Sequence, residues 1–392
     1  MLSVLHRARK SLGHLAVGLA ALALAGCLPV GGPTSGPSID TSAPVPVALL
    51  VPGGSGTASD ELFARNLQNA ARLAISDLAG VQIDLRIYNT AGNPAQAAAM
   101  ATKAVDEGAK IILGPLNGIE ANAAGAAVAA RSVNILSFSN NADVAGGNVF
   151  VLGTTFPNVA TRLARYAVRN GAPRIMVVYD QNPGGEAGRA AIQAGVATAG
   201  GTVAGAVGYE FSQAGITKAA AGIADQVRSS GANAVFLTAT PDGALPMISQ
   251  ALIDNGVSIQ MQRFIGLTRW SVPSATLALP SLQGGWFALP DQTRYPQFVS
   301  RYQAAYGEAP EPIAALAYDG IAAIGALVRQ GNANALTTGA LTQAAGFEGV
   351  SGIFRFLPNG ANERGLAVMQ VQNGQAVVVD PAPRSFGGGG GS

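Results

Sequence analysis

Histidine occurs only at His6 and His14, and cysteine only at Cys27. Everything downstream of Cys27 therefore lacks both an imidazole and a thiol. That removes Ser-His-Asp and Cys-His nucleophilic catalysis and every His/Cys metal site, so neither enzyme, metal centre nor cofactor is expected. Carboxylate chemistry survives the exclusion. Asp180 and Asp242 stand in loops after apolar runs, but nothing in their spacing sets them at a working distance, and solvated loop acids are the plainer reading. Gly53-Gly54-Ser55-Gly56-Thr57 follows a strand yet lacks the Lys and spacing of a phosphate loop, and Gly184 to Gly188 is no dinucleotide fingerprint. What remains is binding chemistry. Ser55, Thr57, Asn117, Gly118, Ser137, Ser139, Thr154, Thr155, Asp180, Asn182, Thr240, Asp242 and Arg269 all follow apolar runs and could hold a small polar or anionic ligand. The competing reading is that such Ser, Thr and Asn residues are turn and capping groups.

The elements that would position them alternate. Val45 to Val51 is a continuous apolar run, suited to a strand buried on both faces. Ser59 to Leu78 has apolar residues at helical spacing. Val81 to Tyr88 alternates Ile83, Leu85 and Ile87 with charge. Pro94 to Glu107 is a helix with Pro in its first turn. A strand at 110–113, a helix at 119–131 and a strand at 134–138 follow. Strand-helix repetition marks a parallel sheet with right-handed crossovers. The second half repeats the scheme, with strands at 174–179, 202–209, 234–238 and 263–267 and helices at 185–199, 216–230 and 243–255. Gly108 to Gly118 and Gly231 to Gly243 match in kind: a Gly-Ala turn, a buried strand, then a Pro-containing loop opening a helix. Two similar α/β lobes follow. Ligands of open α/β sheets sit beyond the carboxyl ends of the strands, where those loops meet. Trp270 and Trp286 are read as packing residues rather than stacking platforms.

The ends carry different information. Arg7, Arg9 and Lys10 precede a short uncharged apolar stretch, Leu12 to Leu24, and then Leu24-Ala25-Gly26-Cys27. A span needs about 20 apolar residues, so this reads as an export signal over 1–26. The small residues before Cys27 form a lipobox, which makes Cys27 the lipidation site and the membrane a partner through lipid. Leu28 stands where an Asp would signal inner-membrane retention, so the periplasmic face of a Gram-negative outer membrane is expected. Residues 27–44, rich in Pro, Gly, Ser and Thr, read as a flexible linker. Residues 384–392, ending in a glycine run, read as a disordered tail. Without Arg7, Arg9 and Lys10, the 24 basic residues become 21 against 22 acidic ones, a net of −1. A near-neutral mature chain offers no basic stripe, which argues against nucleic acid.

The segments 45–52, 112–116, 135–140, 174–180, 315–320 and 347–360, in that order and spacing, resemble the type I periplasmic-binding fold of the branched-chain amino-acid binding proteins. The resemblance implies a two-lobed fold with three inter-lobe crossovers, each lobe a parallel sheet flanked by helices. Lobe 1 would comprise 45–152 with 290–365, and lobe 2 would comprise 153–289 with 366–383. It places Asn117-Gly118 and Ser139 where relatives hold a ligand carboxylate. Gly184 stands where relatives tend to have an aromatic residue, and Thr268-Arg269-Trp270 where they tend to have an acid for the ammonium. An Arg there would repel an α-amino group.

The later segments, Gly349 to Phe356, Asn362 to Val368 and Asp380 to Pro383, are similar to the penicillin-binding protein activator lipoproteins. That similarity implies a non-enzymatic envelope lipoprotein stimulating a bifunctional peptidoglycan synthase, although larger members carry a helical-repeat module where this chain has only a short linker. The alternative is a substrate-binding lipoprotein of an ABC importer, taking an amino acid or another small polar or anionic solute. The altered cleft residues and the tail favour the activator reading.

Overall fold

Along β1 (Val45–Val51), Val47, Leu49 and Val51 enter one apolar cluster and Ala48 and Leu50 another. A strand with both faces buried must sit centrally in a sheet covered by helices on each side, and it does. The computed structural model describes residues 36–386. The signal segment, Cys27 and residues 387–392 lie outside that range.

β1 pairs in parallel with β2 (Ile83–Asn89) and β3 (Ile111–Leu113). With β4 (Asn134–Ser137) and β5 (Val149–Val151) they form a five-stranded sheet ordered β2-β1-β3-β4-β5. The connecting helices are α1 (Ala58–Ser76), α2 (Pro94–Asp106) and α3 (Gly118–Val128). The second sheet contains β6 (Arg174–Asp180), β7 (Thr202–Tyr209), β8 (Ala234–Leu237), β9 (Arg263–Gly266) and β10 (Trp286–Leu289). Its helices are α4 (Phe156–Arg169), α5 (Pro183–Thr198), α6 (Gln213–Ser229) and α7 (Leu245–Asp254). The parallel part of this sheet runs β10-β9-β8-β6-β7, the order of the first sheet over again. The matched stretches around β3 and β8 thus fill equivalent places, each beside the first strand of its sheet.

After β10 the chain returns to the first half as α8 (Tyr295–Tyr306), α9 (Ala314–Val328), the short α10 (Thr338–Leu341) and a three-stranded antiparallel sheet. That sheet is β11 (Phe347–Gly349), β12 (Gly352–Phe356) and β13 (Asn362–Arg364). The chain then crosses again into β14 (Ala367–Gln372) and β15 (Gln375–Asp380), which extend the second sheet beside β10. It therefore passes between the halves three times, at residues 152–156, 289–295 and 364–367. The last two strands depart from an all-parallel expectation. Asn373 and Gly374 both have positive φ, 51° and 75°, the backbone of a two-residue hairpin turn, and such a turn can join only antiparallel strands.

Two expectations for the chain ends need correction. Residues 36–44 do not form a free linker. Ile39 is buried in the first core, and its N–H donates to the Ala333 carbonyl at 2.9 Å. The tail also begins later than residue 384, because the Phe386 ring lies 4.8 Å from the Arg355 guanidinium. Both tryptophans pack: Trp270 is fully buried against Gly266 and Phe287, while Trp286 stacks edge-on against Tyr166. No described helix is long and apolar enough to cross a membrane.

Candidate functional site

Most of the loop groups singled out from sequence are occupied with folding. Thr57 caps α1, its hydroxyl oxygen accepting from the Asp60 N–H, and Ser55 bonds Thr57 in turn. Thr155 caps α4 in a reciprocal box with Asn158. Asn182 caps α5 by accepting from the Gly185 N–H at 2.8 Å. These are the caps that strand-to-helix junctions ask for, and they satisfy donors a helix leaves open. Asn117 donates instead to the Glu120 carboxylate at 2.8 Å. Gly118 is small because a Cβ there would meet Val144 at 2.9 Å. Ser137 is buried and donates to the Pro115 carbonyl, and the buried Ser139 hydroxyl accepts from the Asn141 N–H.

Asp180 also turns inward. Its carboxylate accepts from the Tyr209 hydroxyl and, at 3.1 Å, from Thr238. Burial and the neighbouring Asp180 carboxylate together push the Tyr209 hydroxyl well above its ordinary range, so the proton stays on the tyrosine. Asp242 is exposed, and the Thr240 carbonyl accepts from Gly243 and Leu245 at the start of α7. Of all the candidates, only Thr154 and Arg269 reach a common space.

That space is a cavity of about 460 Å³ between the two halves of the molecule. The crossovers all contribute to its lining: Thr154 and Phe156 from the first, Leu289, Pro290 and Gln292 from the second, Arg364 and Leu366 from the third. The first half adds Asn140, Tyr295, Ile313, Leu316 and Ser351, and the second adds Val159, Leu267, Thr268 and Arg269. The size lies within the range of about 300–1,000 Å³ usual for small-molecule pockets, which are mainly apolar with a few convergent polar groups.

The electrostatics are one-sided. No Asp or Glu lines the cavity, while two guanidiniums do. Arg364 is spoken for: it bonds the Leu152 carbonyl at 3.0 Å and Asp319 at 3.3 Å. Arg269 donates to the Ser271 hydroxyl at 2.8 Å, and no described carboxylate stands within ion-pair distance of it. Tyr295, from the other half, lines the same cavity. Burial raises its hydroxyl above the ordinary range, while the Arg269 guanidinium pulls the other way through its charge and a hydrogen bond. Among the described residues no cluster of three His, Cys, Asp or Glu groups could hold a metal.

Sequence reasoning reached Arg269 because it follows a strand of the second sheet. It missed Tyr295, Gln292, Ser351 and Arg364. These lie on segments returning from the second half, so their approach to the cavity depends on crossovers that local patterning does not reveal.

A two-lobed chain with an inter-lobe cavity at its crossovers matches a known architecture. Residues 44–376 match the periplasmic binding protein family. The chain belongs to that family. Among solved structures, this periplasmic binding protein is similar to one from Rhodospirillum rubrum assigned to a branched-chain amino acid ABC transporter, with 21% identity over 86% of this chain and 100% of that one and a TM-score of 0.74. It is also similar to an ABC transporter substrate-binding protein of Desulfitobacterium hafniense in complex with Leu, at 19% identity over 86% and 100% of the two chains, TM-score 0.64. A third is a solute-binding protein of an ABC transporter from Rhodopseudomonas palustris BisB5 in complex with 3,4-dihydroxybenzoic acid, at 16% identity over 87% and 97%, TM-score 0.58. At such identities the likeness establishes the fold. Among curated proteins none matches this sequence.

Proposed function

We propose that this periplasmic binding protein is the solute receptor of an ABC importer, held at a membrane by lipid on Cys27. One observation carries the reading: a cavity of small-molecule size whose walls come from both lobes and all three crossovers. A ligand there touches both halves at once, so binding favours whichever lobe arrangement makes both sets of contacts. The three similar structures are named for ABC transporters, and two of them hold a small molecule, Leu in one and 3,4-dihydroxybenzoic acid in the other. The lipid anchor rests on Leu24-Ala25-Gly26-Cys27 alone.

The reading as an activator of a peptidoglycan synthase has no observation of its own. Gly349 to Phe356 and Asn362 to Val368, the segments that suggested it, build β11 to β14, and Asp380 clamps β15 to Arg162. These are fold-bearing contacts that a solute receptor needs equally. Outer-membrane sorting, expected from Leu28, belonged to that reading; an importer needs its receptor within reach of the inner-membrane permease.

A thermal-shift screen of amino acids and organic acids tests the proposal, run on the wild type and on Val159→Trp, which fills the cavity from its half-buried wall. At least one solute is expected to stabilise the wild type in a concentration-dependent way and to leave Val159→Trp unmoved. Equal stabilisation of both proteins would move the site elsewhere. Membrane fractionation of Cys27→Ala checks the anchor separately: the variant should appear in the soluble fraction, and its persistence in the membrane fraction would remove the tether.

A further inference from the structure

Resting on the solute-receptor reading, we infer that the ligand is a small organic acid with an apolar body and no ammonium group, its carboxylate bridging Arg269 of one lobe and Tyr295 of the other. Three observations carry this.

The first is the charge inventory. A zwitterionic α-amino acid needs an acceptor for its ammonium, and the strongest acceptor is a carboxylate. None lines this cavity. Glu311 acts on Tyr295 electrostatically but is not part of the lining. An ammonium placed here would face the Arg269 guanidinium as a like charge in a space of low dielectric.

The second is the state of the two cations. Arg364 is fully buried and neutralised by Asp319. Arg269 has no carboxylate partner among the described residues, its side chain meeting only the neutral hydroxyls of Ser271 and Tyr295. A lone guanidinium matches a monoanion, and its planar fork matches a carboxylate. Tyr295 adds a hydroxyl from the opposite lobe, and its proton stays on because burial raises the group. The third is the rest of the wall. Phe156, Val159, Leu267, Leu289, Ile313 and Leu366 present hydrocarbon. They suit an aromatic or branched aliphatic body, whose transfer out of water drives binding.

Isothermal titration of the full mature chain in detergent decides the matter, with benzoate, 4-methylpentanoate, leucine and methyl benzoate as probes. One or both acids are expected to bind, leucine to bind at least about ten-fold more weakly than 4-methylpentanoate, and the neutral ester to give no saturable heat. Arg269→Gln should weaken the acid on the order of 10- to 100-fold, as loss of a charged hydrogen bond does, with Arg269→Lys losing less. Leucine binding as tightly as 4-methylpentanoate would overturn the ligand class and leave the receptor reading standing. Methyl benzoate matching benzoate would overturn the Arg269 anchor. Silence from every probe, in a protein whose melting curve shows it folded, would count against both.

Discussion

Arg364 lies 3.3 Å from Asp319, with both side chains withdrawn from solvent at the third crossover between the lobes. Asp319 comes from α9, and its other oxygen accepts from the Val350 and Ser351 N–H groups at 2.8 and 3.3 Å. Burial pushes the Asp319 carboxyl up, and Arg364 with Ser351 opposes that shift. Gly349 makes the approach feasible, because a Cβ there would fall 2.1 Å from the Asp319 carboxylate. The pair therefore fixes β13 and the crossover against α9, on one wall of the cavity.

Removing one partner leaves the other charged and buried. Arg364→Met is expected to cost about 3–5 kcal/mol in urea unfolding at neutral pH, the usual penalty for orphaning a buried charge. A loss below about 1 kcal/mol would mean that water or another group compensates Asp319.

Asp180 should behave as a stability residue. Because Tyr209 and Thr238 hold its carboxylate inside the second sheet, Asp180→Asn is expected to lower the melting temperature while solute affinity stays within about two-fold of wild type, given that no contact to the cavity is lost. A larger change in affinity measured by titration calorimetry would return Asp180 to the binding site.

Gly266 faces the Trp270 indole so closely that a Cβ would fall 2.2 Å from the ring. Gly266→Ala should destabilise the second lobe by about 1–3 kcal/mol through overpacking. In a Trp286→Phe background Trp270 is the sole indole, so its emission reports the displacement directly. An unchanged emission maximum and melting curve would show that the ring relocates freely.

Acid sensitivity should concentrate at Asp77. Burial opposes its ionisation, but hydrogen bonds from Arg301 and Tyr318 outweigh this and hold the carboxyl below 3.8. The same contact, with burial, pushes the Tyr318 hydroxyl up to about 12. A carboxyl depressed in the folded state contributes stability above its unfolded value, and that contribution is lost as pH falls through the folded value. The stability difference between wild type and Asp77→Asn should therefore be constant from pH 7 to about 5 and shrink below about 3.8. A difference that does not change with pH would show that Asp77 contributes only neutral hydrogen bonding.

The parts of this structure that could be read from sequence are those fixed by local periodicity. The apolar run 45–51, the strand-helix alternation and the paired Gly-Ala turns before β3 and β8 each carry their own signal, and together they determine two matched lobes. The candidate site was legible only at Thr154 and Arg269. The reason is physical: a helix N-terminus following a strand asks for Ser, Thr, Asn or Asp whether or not a ligand lies nearby, so Thr57, Thr155 and Asn182 looked like ligand groups while serving as caps. Tyr295 and Ser351 gave no local signal, since only the crossover at Pro290 returns their segment to the cavity that Arg269 lines. Ile39 was misjudged for a related reason. A Pro/Gly-rich stretch reads as flexible, and one apolar residue within it was enough to dock its end.

The most direct measurement is the anomalous difference map of crystals grown with 4-bromobenzoate. A bromine peak among Phe156, Leu289 and Ile313 is expected, with the carboxylate within about 3 Å of the Arg269 guanidinium and the Tyr295 hydroxyl. A bromine peak outside the inter-lobe cavity, or a carboxylate turned away from Arg269 inside it, would contradict the assignment of this space as the receptor's acid-binding site.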